Sequence, residues 1–243
     1  MKTWVLSTWG HPELGEMLHA LISAGVKIDK VIFAGEITSE SKLITLSRVS
    51  ANPPLKRFFE VNLVGVPMFF FPSHNGEQFI SWAQNHRPDL IINCGSPEII
   101  QRPVLTLPRL GVLGAHPGAL PNYRGCSALE WSVYRDDPIA ASCFFLDRGI
   151  DTGPVVSVRQ MQVDAGESHE VVRRRMVSHS AEVLAEGAKF VLINLLKGSL
   201  IRNTHQDSGE YFSVVNEETL REIKRKMAAG LNQCEGLETS WRV

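Results

Sequence analysis

The feature that most constrains this chain is the alternation of short apolar runs with amphipathic or polar segments. Trp4-Val5-Leu6-Ser7-Thr8 predicts a strand. Leu14, Met17, Leu18, Leu21 and Ile22 follow at i, i+3, i+4, i+7 and i+8, which predicts a helix ending near Gly25. Lys30-Val31-Ile32-Phe33-Ala34 reads as the next strand, and the order strand–helix–strand predicts parallel pairing through a right-handed crossover. Further strands are expected at Val66–Phe71, Asp89–Gly95, Gly111–His116 and Ile139–Leu146, with a short helix from Gln78 to His86. The run Met68-Phe69-Phe70-Phe71 predicts a strand buried on both faces. Residues 36–62 read as polar and helix-like, broken at Asn52-Pro53-Pro54.

The second half continues in kind. Pro154 to Val163 alternates like a strand and predicts an antiparallel hairpin arm. Glu167 to Lys197 carries the longest apolar stripe, from Val172 to Leu196, with Gly198 placed to stop the helix. Tyr211-Phe212-Ser213 and Glu217–Ala229 predict a short strand and a charged helix, and residues 230–243 are expected to fray. The whole predicts an α/β fold: a Rossmann-like, mostly parallel twisted sheet flanked by helices over residues 1–200, and a small C-terminal appendage over 201–243.

Charge and cysteine usage narrow the partners. With 25 basic and 26 acidic residues the chain carries no electrostatic footprint for nucleic acid. Its one basic cluster, Arg173-Arg174-Arg175, reads as a solvated helix face. Ser168 and His169 before it read as capping or exposed residues. Four cysteines without a C-x-x-C pair, three of them in or beside apolar strands, fit reduced thiols and a cytoplasmic setting. No apolar run approaches a membrane span, and the histidines and acids show no metal-ligand spacing. Self-association into a homodimer is compatible with all of this.

Chemistry concentrates between Gly111 and Gly153. The apolar run Gly111–Pro117 delivers His116 to the loop Gly118-Ala119-Leu120-Pro121-Asn122-Tyr123-Arg124-Gly125. The run Ile139–Leu146 ends at Asp147-Arg148-Gly149-Ile150-Asp151-Thr152-Gly153. Open α/β sheets build their sites at the carboxyl ends of strands, so His116 and Asp151 form a candidate acid–base pair. Tyr123 and Arg124 sit over that region as candidate substrate contacts. Arg124 could hold a carboxylate or phosphate, or staple the loop through carbonyls. Gly10 and His11, at the end of the first strand, are further candidates on the substrate side.

His-Pro-Gly-x-Leu-Pro-x-Tyr-Arg-Gly, followed by Asp-x-Gly-Ile-Asp-Thr-Gly-Pro, resembles the signature of the folate-dependent formyltransferases. That family includes glycinamide ribonucleotide, methionyl-tRNA and sugar N-formyltransferases. The resemblance implies N10-formyltetrahydrofolate as formyl donor and an amine of a small molecule, such as an amino sugar, as acceptor. It implies a folate loop at Glu98, Ile99 and Ile100, joined by Leu146 and Asp147, with backbone groups meeting the pterin. It also exposes two departures. The family's catalytic asparagine is Gly114 here, and Phe144 stands where members often carry a second histidine.

Formyl transfer needs an acid–base group, donors for the tetrahedral oxyanion, and a proton for the departing folate nitrogen. A histidine oriented by an aspartate suits the proton work. Gly114 leaves the oxyanion role open to Asn93, Ser96 or Asn122. With water as acceptor the same pair would make a formyltetrahydrofolate hydrolase, and with no turnover a silent folate-binding homologue.

Overall fold

A computed structural model describes residues 1–36, 40–48, 56–196, 206, 208–230 and 240–241. Its centre is an eight-stranded sheet: β1 (Thr3–Ser7), β2 (Lys30–Ala34), β3 (Met68–Phe71), β4 (Leu90–Asn93), β5 (Val112–His116), β7 (Ala140–Phe145), β8 (Val155–Gln160) and β10 (Ser240–Trp241). The order is β10-β8-β7-β5-β4-β1-β2-β3. From β3 to β5 the neighbours are parallel, and from β5 to β10 antiparallel. The Rossmann-like, mostly parallel α/β sheet read from the apolar runs is therefore the observed fold.

Both faces of the sheet are covered. Helices α1 (Leu14–Ser23) and α6 (His169–Leu196) pack on the face of Val5, Phe33, Ile92 and Leu113. Helices α3 (Glu77–His86) and α4 (Arg102–Leu105) cover the face of Trp4, Leu6, Ile91 and Val112. This is the alternation that a strand period of two imposes on a sheet buried on both sides. The polar stretch contributes α2 (Glu40–Ser47) and a short 3₁₀ turn at Phe58–Glu60; Asn52-Pro53-Pro54, Lys197 and Gly198 lie outside the described residues. Among the described residues no helix is long and apolar enough to cross a membrane.

The apolar run at β3 departs from expectation. It forms the edge of the sheet, where Phe70 is 61% exposed and Met68 is also solvent-facing, while Phe69 and Phe71 pack against Trp82. A continuous apolar run specifies a strand but not its place in the sheet.

The residues beyond 200 that are described pack into this body. β9 (Tyr211–Phe212) pairs in parallel with β6 (Arg124–Gly125). Leu220, Ile223 and Met227 of α7 (Glu217–Ala229) join the main core, and within the stretch expected to fray, β10 extends the sheet beside β8.

Two expectations about the long helix are corrected. His169 is buried rather than a cap or an exposed residue, with Nε2 2.9 Å from Glu130 Oε1 in α5 (Ala128–Tyr134). The arginine run is not a solvated face: Arg173 and Arg174 are buried, Arg173 Nε donates to Glu130 Oε1 at 3.0 Å, and Arg174 donates to Ser178. Arg175 pairs with Glu167. Burial opposes the charge of Glu130, but Arg173 and His169 outweigh it and hold its pKa down at about 2. Removing one partner of such a group strands the other, so Glu130→Ala should cost about 3–5 kcal/mol. Urea unfolding should show this as a large fall in midpoint, mostly restored when Glu130→Leu is combined with Arg173→Met.

Candidate active site

β5 and β7 run antiparallel with His116 opposite Ser142 and Gly114 opposite Phe144. Their ends bring the two ionisable groups together, with His116 Nδ1 3.3 Å from Asp151 Oδ2. His116 is almost fully buried and its Nε2 donates to the Tyr123 carbonyl at 2.5 Å. A carbonyl can only accept, so Nε2 carries a proton. Both ring nitrogens therefore face acceptors, Nε2 the Tyr123 carbonyl and Nδ1 the Asp151 carboxylate. Asp151 also accepts the Gly125 amide at 2.8 Å.

Beside this pair lies a cleft of about 170 Å³ between residues 98–100 and 146–151. Glu98, Ile99, Ile100, Leu146, Asp147 and Asp151 all line it, together with Asn93, Gly114 and Phe144. His116 does not reach its wall; it stands behind Asp151. The Glu98 carboxylate accepts from Ser73 at 2.5 Å and from the His74 amide at 2.8 Å. Burial alone would raise the Glu98 carboxyl, but these bonds and those from Asn75 outweigh it and hold the pKa below the usual range. The Asp147 carboxylate is likewise engaged by its own loop, accepting from the Gly149 amide and Thr152 Oγ1.

The other candidate residues lie further off. His11 is buried against Gly95, with Nδ1 accepting from the Glu13 amide at 3.2 Å, and Gly10 turns with φ +75° beside it. Neither lines the cleft. The Tyr123 side chain is buried, its hydroxyl donating to Asp137. Arg124 donates to Gln206 Oε1 and to the Ser208 carbonyl at 2.8 Å. Of its two readings, the structure displays the loop staple.

At Gly114 a Cβ would stand 2.6 Å from Leu146 Cδ1. The space beside the glycine is thus occupied by an apolar side chain from the end of the neighbouring strand. Among the three candidate donors, Ser96 Oγ is in contact with His74 Nδ1 at 2.9 Å and Asn122 is exposed away from the cleft, while Asn93 lines it. The role of His74 was not legible in the sequence, because its partners come from β2 and the loop after β4. Its Nε2 donates to the Ile32 carbonyl, so Nδ1 receives the Ser96 hydroxyl. Among the described residues no cluster of three or more His, Cys, Asp or Glu is arranged to hold a metal, and Cys94 and Cys143 are buried free thiols.

Residues 1–187 match the family model described as Formyl transferase, and the chain belongs to that family. A methionyl-tRNA formyltransferase of Ruminiclostridium cellulolyticum is 28% identical over 216 residues, covering 86% of this chain. The chain spans only 64% of that relative's length. A sugar N-formyltransferase from Shewanella sp FDAARGOS_354 shares the fold with a TM-score of 0.59 at 13% identity, over 100% of this chain and 96% of that one. A formyltransferase from Anoxybacillus kamchatkensis, solved in complex with UDP-4,6-dideoxy-4-formamido-L-AltNAc and tetrahydrofolate, aligns with a TM-score of 0.53 at 16% identity, over 83% and 95% of the two chains.

Two predictions follow from the local chemistry. Burial drives His74 down to about 4, offset only in part by the Ile32 carbonyl and the Glu98 charge. The unfolded chain takes up this proton near pH 6.5 and the folded one only near pH 4. Stability should therefore be complete above pH 6.5 and fall as the pH drops toward 4, by at most about 3 kcal/mol from this residue. In His74→Gln the acid-side slope of denaturation against pH should flatten over that window. In Gly114→Asn the Leu146 Cδ1 methyl, the far end of a side chain, must shift, so stability should change by less than about 1.5 kcal/mol. Thermal melts of parent and variant check this.

Proposed function

We propose that this protein transfers the formyl group of N10-formyltetrahydrofolate to an amine of a small molecule. The observation that carries the reading is the His116–Asp151 pair, 3.3 Å apart beside a cleft, in a chain of the formyl transferase family. The residues lining that cleft fit a folate ring. Ile100, Phe144 and Leu146 give apolar walls, and the Glu98 and Asp147 carboxylates are already engaged by Ser73 and Thr152. Specificity by a few placed polar groups among apolar walls is how such pockets work. The bound folate would supply the activated formyl group.

The chain's own residues would handle protons and orientation. Asp151 faces the cleft, and His116 behind it holds the other end of a proton path. Together they form one acid–base unit that can receive the proton of the attacking amine and return one to the departing nitrogen. Tyr123, through its carbonyl, fixes the ring of His116. An amino sugar is the acceptor favoured here. The full-length match in fold to a sugar N-formyltransferase supports it, as does the internal use of the arginine run on Glu130, Ser178 and Glu167.

The test is turnover of N10-formyltetrahydrofolate with a panel of small amines, with the product identified by mass. A formylated amine is expected. Formate and tetrahydrofolate with no formylated amine would replace this reading with hydrolysis. Binding of 5-formyltetrahydrofolate without any turnover would leave a silent homologue. Because the pair acts as a unit, His116→Ala and Asp151→Asn should each remove most of the activity, and the double variant little more. Activity within a few-fold of the parent in either single variant would remove that residue from the reaction.

A further inference from the structure

We infer that the side-chain amide of Asn93 is the oxyanion donor of this site, taking the role left open at Gly114. The inference rests on the formyl-transfer reading above and deepens it. Parallel strands β4 and β5 are in register at Ile91–Val112 and Ile92–Leu113, and the next positions along are Asn93 and Gly114. Side chains alternate along strands, so Asn93, Gly114 and His116 share one face of the sheet. Asn93 and Gly114 line the same cleft as Asp151.

The orientation of the amide is settled by its neighbour. The Ser96 amide can only donate, and it lies 2.8 Å from Asn93 Oδ1. Oδ1 is therefore the accepting end, and Nδ2 is left with two N–H groups. Nδ2 has no hydrogen-bond partner among the described residues. A polar group of a cleft wall that is held in one orientation and keeps unused donors is preorganised for developing charge. Other side-chain donors nearby are spent. Ser96 is bonded to His74, Ser142 Oγ donates to the Gly118 carbonyl, and Thr152 Oγ1 donates to Asp147. The place beside Gly114 holds Leu146 instead of a donor.

In the reaction, the acceptor nitrogen's lone pair forms a bond to the formyl carbon. The carbonyl π electrons move to oxygen, and Asn93 Nδ2–H donates to that oxyanion. As the carbonyl re-forms, the bond from carbon to the folate N10 breaks and N10 leaves with the electron pair. The proton lost by the acceptor returns to N10 through the Asp151–His116 unit. The products are a formamide and tetrahydrofolate.

Two variants separate a donor from a spacer. Asn93→Ala removes both ends of the amide. Asn93→Asp keeps an oxygen to accept the Ser96 amide and removes only the donor. If Asn93 donates, both variants should lower kcat for tetrahydrofolate release by about 10²–10³, whether the acceptor is an amine or water, with KM for the folate changed only a few-fold. A second readout needs no turnover: the infrared carbonyl band of 10-formyl-5,8-dideazafolate carrying a carbon-13 formyl group. That band should lie lower in the parent's complex than in either variant's, because the hydrogen bond to the formyl oxygen is lost. Asn93→Ala impaired but Asn93→Asp normal, with an unshifted band, would reduce Asn93 to a positioning residue for the 94–96 turn and overturn the inference. Both variants normal would overturn it as well while leaving formyl transfer standing. A parent that neither binds the analogue nor consumes formyltetrahydrofolate would overturn the folate reading and this inference with it.

Discussion

Asp151 is a non-glycine residue held at φ +54°, and the geometry of the site depends on its staying there. Such a conformation costs on the order of 1–3 kcal/mol and persists only where the surroundings over-determine it. Here they do. The Gly125 amide donates to its carboxylate, His116 Nδ1 faces the same oxygen, and Gln206 Nε2 donates to its backbone carbonyl at 3.2 Å. These contacts come from β6, β5 and the segment before β9. Gly125 itself sits at φ +89°, where a Cβ would stand 2.3 Å from the Phe212 carbonyl. The β6–β9 pair can close only with a glycine there. The carboxylate beside the cleft is thus aimed by residues beyond 200, in a part of the chain that reads from the sequence as an appendage.

How much of this was legible depends on the distance over which a signal acts. Strand and helix positions are local, written in periods of two and 3.6, and they gave the element order and the parallel half of the sheet. Position within the sheet is not local. Phe70 and Phe71 belong to the same run, yet Phe70 lies half-open on Trp9 and Phe33 while Phe71 packs against Phe79 and Trp82, because among the described residues no strand pairs beyond β3. His169 carried no spacing signal since its partner, Glu130, is 39 residues away in the chain. The same holds for His74, whose bonds reach Ile32 and Ser96.

Charge shows the same limit. Three consecutive arginines read as a solvated face on composition alone, since unpaired burial would be prohibitive. What reverses the reading is a carboxylate delivered by a neighbouring helix. Glu130 satisfies Arg173 and His169 through one oxygen, while its Oε2, Arg173 Nη2 and His169 Nδ1 have no hydrogen-bond partner among the described residues. Such a cluster is costly to assemble and costly to break, which makes it a means of fixing how α5 meets α6 rather than a net source of stability.

Gly114 has its physical counterpart on the neighbouring strand end. A Cβ at 114 would stand 2.6 Å from Leu146 Cδ1, so a side chain there requires that methyl to shift. Glycine and leucine together leave that wall apolar. An apolar wall removes competing water, and a donor beside it acts at a lower effective dielectric than one in an open polar site. A single amide one strand away, about 4.8 Å across the sheet, then has more effect on developing charge than the same amide exposed to solvent. A glycine at one strand end, the apolar wall beside it and the amide on the adjacent strand are thus parts of one arrangement.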